Sequence, residues 1–266
     1  PRLNEEVNEE WISDKSRFIW DGLKSQRLDR PFVRKDGKLV PVGWGDAFAA
    51  ISEKVSSTTG DKIGAIAGDM ASVEELYALK ALMSSLGSGN MDARQDGSVL
   101  SSRDGRASYL FNSTIEGIED ADAILLVGAN PRLEAAVLNA RIRKTWLAGN
   151  TKIGLIGEQE DLKYKYDYLG AGSDTLEGLA SGKGDFFKVL KDAERPLIIV
   201  GQGAINHEDG EAVLAQAANL AVEVGATGDD WNGFSILHTS ASAVGAFEVG
   251  FEPAEGGKDI AQMQNG

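Results

Sequence analysis

Four short apolar runs that each stop at a glycine constrain this chain more than any other feature. They are "KIGAIAG" (62–68), "AILLVG" (123–128), "KIGLIG" (152–157) and "PLIIVG" (196–201). Apolar residues at successive rather than alternate positions fit strands buried on both faces, and a parallel sheet with helices on each side buries both. The stretches between the runs carry helical spacing. Leu76, Leu79, Met83 and Leu86 stripe a helix that Ser72 and Glu75 open as a capping box and Gly87 closes. Phe48, Ile51 and Val55 share one helical face behind Asp46, a candidate N-cap. Val213, Leu214, Ala217, Ala221 and Val222 stripe another helix, ended by Gly225. The expected fold class is therefore α/β, a Rossmann-like parallel sheet with helices on both faces.

Residues 1–45 differ from the rest. They hold three of the five Trp (Trp11, Trp20, Trp44), many charges and no sustained apolar period. Asp36-Gly37 between "FVRK" and "KLVPV" marks a hairpin turn in which Gly takes positive φ. This part is expected to be a strap with a small β element, its Trp serving as packing anchors. Residues 46–266 form the α/β domain. The start without Met and the ending "DIAQMQNG" give the expectation of a fragment, incomplete at its C-terminus.

The run at 123–128 leads into "ANPRLEAAVLNARIRK". Asn130 is an N-cap, Pro131 takes the first helical position, and Arg141, Arg143 and Lys144 sit near the negative helix end. A strand-Gly-helix turn of this kind presents backbone N–H groups to a phosphate. The simpler reading, which the sequence favours, is that each Gly lets the chain turn tightly from strand to helix. No GxGxxG precedes a helix with an acidic residue about 20 positions on, no GxxxxGK[ST] occurs, and Arg132 is the one cation well placed beside the turn.

Composition removes other chemistries. With 27 Lys+Arg against 41 Asp+Glu, the net charge of -14 repels nucleic acid and anionic headgroups. No apolar run approaches the roughly 20 residues of a membrane span, so no direct insertion is expected. The absence of cysteine rules out, within these residues, disulfides, thiolate metal sites and Cys-held iron–sulfur clusters. His207 lies in a polar loop and His238 in "SILHTSAS"; neither has the company of a general base. Asp229-Asp230 and Glu74-Glu75 are expected on solvated faces or at helix starts, "YKYDY" (164–168) at a strand edge or interface, and Ser113-Thr114 and Ser101-Ser102 lack a partnered base. No catalytic or metal residue is assigned.

"NEEWISDKSRF" with "WDGLKSQRL" and "LLVGANPRLEAAVLNARIRKTW" resembles the molybdopterin oxidoreductase-like family of G-type large iron–sulfur subunits of NADH-quinone oxidoreductase, respiratory complex I. The likeness runs over nearly the whole chain, including "PLIIVGQGAINHEDG". It implies cysteine-rich cluster domains before this region, so the iron–sulfur clusters are expected there and no cofactor here. It further implies a non-catalytic scaffold domain supporting electron transfer from NADH to quinone. The expected partners are its own cluster domains and other complex I subunits. The expected place is a peripheral arm, on the cytoplasmic side of the bacterial inner membrane or the mitochondrial matrix side. In active molybdenum relatives, guanine-dinucleotide pterins lie along the sheet's carboxyl edge and the metal takes a ligand from the loop that here spans 87–105. That loop has no Cys; Asp96 or Ser98 would have to substitute. On this resemblance Gly128, Asn130, Arg132 and Asp96 are vestigial cofactor-site candidates. An active molybdenum-pterin oxidoreductase fragment is the alternative, and an orphan nucleotide-binding module a third class.

Overall fold

The computed structural model describes residues 2–149 and 151–265. Its packing separates into two compact units, Ser13–Ala93 with Phe251–Gly266, and Pro1–Ile12 with Arg94–Gly250.

The smaller unit is built on local signals. Helix α1 (Asp14–Phe18) starts at Ser13, whose hydroxyl accepts the Lys15 N–H. Strands β1 (Phe32–Lys35) and β2 (Lys38–Pro41) form an antiparallel hairpin. Its turn residues Asp36 and Gly37 both have positive φ, 49° and 77°, which suits the right-handed twist of a two-residue turn. Helix α2 spans Trp44–Ser56. Strand β3 (Ala65–Ile66) pairs in parallel with β4 (Met91–Asp92), with helix α3 (Val73–Ser85) between them in sequence. The Ser72 hydroxyl accepts the Glu75 N–H while the Glu75 carboxylate accepts the Ser72 N–H at 2.8 Å, the reciprocal box that the sequence spells. Leu76 and Met83 on α3 are buried. Asn90 ties in the last segment: its side-chain amide donates to the Asp61 carbonyl and its oxygen accepts the Lys258 N–H, each at 2.9 Å.

In the larger unit, β5 (Ala123–Val127), β6 (Lys152–Ile156), β7 (Asp167–Gly170), β8 (Pro196–Gly201) and β9 (Phe234–Leu237) form a wholly parallel sheet in the order β7-β6-β5-β8-β9. Helices α4 (Pro131–Glu134) and α5 (Ala136–Leu147) link β5 to β6, and α6 (Ser173–Ala180) and α7 (Asp185–Asp192) link β7 to β8. Helices α8 (Gln202–Ile205) and α9 (Gly210–Glu223) lead to β9, after which comes α10 (Ala243–Val249). Side chains alternate across β5. Leu125 and Val127 join the core under α6, α7 and α9, whereas Ile124 and Leu126 join the core under α5 with Leu138 and Ile142. The α/β class with helices on both faces holds.

Several local expectations are corrected. The first Gly-ended run supplies β3, which lies in its own two-stranded sheet rather than in the five-stranded one. Asp46 is not the cap of α2, since Gly43 holds that position, and the face bearing Phe48 and Ile51 is 60% and 57% exposed. The helix opened by Pro131 breaks at Ala135 (φ -143°, ψ 67°) before resuming as α5, with neither Gly nor Pro at the break. Strand β9 lies in a segment where the sequence marks no strand.

Two substitutions test this arrangement by urea unfolding. Leu125→Ala leaves a void in a fully buried central strand and should cost about 2–5 kcal/mol, whereas Ile51→Ala on the open face of α2 should change stability by about 0.5 kcal/mol or less.

Candidate functional site

In an open parallel sheet, ligands sit at the carboxyl ends of the strands where the strand order reverses. Here that point lies between β5 and β8, because the chain goes from β5 outward to β6 and β7 and then crosses to β8 and β9. Both flanking turns are Gly-rich. Gly128 has φ +56° and donates its N–H to the Ile156 carbonyl at 2.8 Å. A Cβ on Gly128 would stand 2.4 Å from the Ala204 nitrogen, and one on Gly201 would stand 2.5 Å from the Gly128 oxygen. One on Gly203 would stand 2.8 Å from that same oxygen. The turns after β5 and β8 therefore meet backbone to backbone, and each glycine is required by that approach.

Beside this contact lies a cavity of about 280 Å³ over the ends of β5 and β6. Its charged lining consists of Glu158 and Asp209, with exposed His207 also lining it and its Nε2–H donating to the Gly203 carbonyl at 3.1 Å. Among the described residues no Lys or Arg lines it. Asn130 caps α4, its Oδ1 accepting the Leu133 N–H at 3.3 Å, while its own N–H donates to the Glu134 carboxylate at 3.1 Å. Helix α4 is a single turn, so it concentrates little dipole at its start, and Glu134 answers what there is. Arg132 turns elsewhere: its guanidinium donates to the Asp161 carbonyl at 2.7 Å and pairs with the Asp161 carboxylate at 3.2 Å.

Two family models match the chain, one for molybdopterin oxidoreductase over residues 27–266 and one for the NADH-ubiquinone oxidoreductase NDSU1/NuoG-like 4Fe-4S domain over residues 1–21. The chain belongs to the molybdopterin oxidoreductase family. It is 46% identical over 256 residues to the G subunit of NADH-quinone oxidoreductase from Rickettsia bellii, covering 96% of this chain and 37% of the relative. With the corresponding G subunit from Rickettsia conorii it shares 47% identity over 251 residues, 94% of this chain and again 37% of the relative. The chain thus spans little more than a third of the length of these curated relatives. Acetylene hydratase from Pelobacter acetylenicus shares the fold at 15% identity and TM-score 0.57, covering 93% of this chain and 38% of that one. The formyltransferase/hydrolase complex of Methylorubrum extorquens does so at 18% identity and TM-score 0.57, over 84% and 66%.

In this molybdopterin oxidoreductase family member the loop candidates Asp96 and Ser98 are not among the residues lining the cavity beside the switch point. Asp96 is exposed and accepts the Ser98 N–H at 3.1 Å, forming a local turn. Ser98 is buried, with its oxygen toward the Leu100 N–H. No group of three or more His, Asp or Glu side chains is placed to hold a metal ion among the described residues. His238 follows β9, and its Nε2–H donates to the Tyr109 carbonyl at 2.6 Å. Burial holds its imidazole below the usual value near 6.5, opposed by that hydrogen bond and by Asp96. Of "YKYDY", Tyr164 is buried against Asn139 at 2.9 Å and burial pushes its phenol well above the usual tyrosine range, while Tyr168 lies in the edge strand β7.

One charged cluster had no signal in the sequence. Arg141 is not a helix-end cation but a buried mid-helix residue of α5, donating to the Glu119 carboxylate at 2.7 Å and to the Glu5 carbonyl at 2.6 Å. Lys144 bridges Glu9 at 2.7 Å and Glu119 at 3.0 Å. These bonds raise the Lys144 ammonium above its usual value and hold the Glu9 carboxyl below its own. Residues 5–9 are thereby pinned to the outer face of α5.

Gly128→Ala forces an L side chain into positive φ against the Ala204 backbone and should destabilise by on the order of 3 kcal/mol; a neutral result in chemical denaturation would show that the turn gives way. His238 supplies a pH test. Between 6.5 and its lower folded value, the unfolded chain binds a proton that the folded chain does not, so stability falls as pH falls through that window. The slope is at most about 1.4 kcal/mol per pH unit, and His238→Asn should remove it from stability–pH curves.

Proposed function

We propose that this chain is the α/β body of the large iron–sulfur subunit of an NADH-quinone oxidoreductase, a non-catalytic scaffold for the clusters that carry electrons from NADH toward quinone. The identity of 46% over 96% of the chain with the Rickettsia bellii relative carries this reading. On this reading residues 1–45 are the strap that joins the cluster domains to the α/β domain at 46–266. The clusters lie in parts of the polypeptide other than these 266 residues, which contain no cysteine. Other subunits of the enzyme are its partners, and its place is the peripheral arm on the cytoplasmic or matrix side. No described helix is long and apolar enough to cross a membrane.

The switch point supports the non-catalytic part of the proposal. A guanine-dinucleotide pterin brings a pyrophosphate, which seeks N–H donors with cations beside them. The residues here do not fit it. The turns after β5 and β8 meet backbone to backbone, the adjoining cavity offers Glu158 and Asp209, and Arg132 is engaged by Asp161. Gly128, Asn130, Arg132 and Asp96 are accordingly retained for turn geometry and local pairing.

Mass spectrometry of the denatured full-length protein should release no pterin, and Arg132→Ala should leave NADH:quinone turnover of the assembled enzyme unchanged. Stoichiometric release of a guanine-dinucleotide pterin would put the active molybdenum-pterin reading in its place.

A further inference from the structure

The N-terminal segment and α5 enclose a groove of about 470 Å³ that the scaffold reading leaves unexplained. One wall is Trp11 with its neighbours Asn8 and Glu9. The other is a stripe of α5, Val137, Ala140, Lys144 and Leu147, spaced 3, 4 and 3 residues apart so that all four share a helix face. Trp11 and Leu147 are each 57% exposed, although leaving an indole and a leucine in water costs free energy. The walls are fixed rather than loose. Arg141 and Lys144 hold the segment by charge-assisted bonds to the Glu5 carbonyl and the Glu9 carboxylate, and are themselves fixed by Glu119, so the groove persists without an occupant to shape it. Its rim carries Arg143, an exposed cation in a chain of net charge -14.

The Trp11 wall belongs to residues 1–21, the stretch that matches a 4Fe-4S domain. A cluster of that type is held by cysteine thiolates, and residues 1–21 contain none. The curated relatives are also far longer, this chain spanning 37% of their length. We propose that the groove seats the cluster-bearing remainder of that 4Fe-4S domain on the same polypeptide. An apolar side chain enters between Trp11 and Leu147, and a carboxylate meets Arg143. This rests on the reading of the chain as part of an iron–sulfur subunit. It adds the surface by which the α/β body carries its cluster domain.

The test uses the full-length protein bearing Ala140→Cys in the groove or Lys188→Cys on the exposed side of α7. Labelling by N-ethylmaleimide is followed by peptide mass, and each rate is divided by that of the same variant in urea. These 266 residues hold no native cysteine, so the reading at either position is unambiguous. In the iron-loaded protein, position 140 should label roughly tenfold more slowly than position 188, the mark of a site that must open before it reacts. Removing the iron with a chelator should abolish the difference. Equal rates in a protein carrying its full iron would overturn the groove assignment alone. Protection that arises only after other subunits are added, or only in a dimer on gel filtration, would give the groove to that occupant instead. A full-length protein that binds no iron would overturn the proposed function itself.

Discussion

Complete burial of β5 governs the larger unit. Its five residues are at most 2% exposed, and none carries a polar side chain, so both faces of the strand must be roofed by apolar side chains. Helix α5 roofs one face and α6, α7 and α9 the other. A strand in that position can end only in a turn that climbs over the sheet edge. The turn begins at Gly128, whose positive φ lets the chain leave β5 while touching the backbone after β8. The turns at the point where the strand order reverses are thus brought into backbone contact by the same packing that closes the core.

Charge distribution reinforces this. In a chain with 41 acidic and 27 basic residues, cations are scarce, and four of the arginines in the larger unit are paired. Arg132 is spent on Asp161, Arg141 on Glu119 and Glu5, Arg106 on Glu248, and Arg195 on Asp120. Arg141 is the costliest of these to disturb, because its side chain is 5% exposed and removing an acidic partner strands a buried charge. Glu9 and Glu119, together with the Glu5 carbonyl, therefore serve an architectural purpose in holding the N-terminal segment on α5.

The smaller unit keeps apolar surface on its outside. Trp44, Phe48 and Ile51 of α2 are all more than half exposed, and the hairpin β1–β2 has no buried position. A two-stranded hairpin alone in water is marginal, and apolar patches of this kind on a stable protein belong to contacts with something else. On the proposed reading of the chain as part of a larger subunit, such surface has a place without any ligand chemistry.

Local chemistry was readable from the sequence alone. The unbroken apolar runs gave β5, β6 and β8 and their parallel, doubly covered setting. Ser72 with Glu75 gave the start of α3, Asp36-Gly37 the hairpin, and Asn130-Pro131 the cap after Gly128, because each depends on backbone preferences within a few residues. Tertiary structure decided what depends on segments distant in sequence. It chose β4 rather than the main sheet as the partner of β3, since two residues at the end of an apolar run carry no pairing address. It drew the short strand β9 from a segment rich in Ser and Gly by pairing it with β8. It turned the apolar face of α2 outward, broke the helix at Ala135, and converted Arg141 from a helix-end cation into a buried clamp. Periodicity tells which residues share a face and turn chemistry where the chain bends; only the folded chain determines what that face meets.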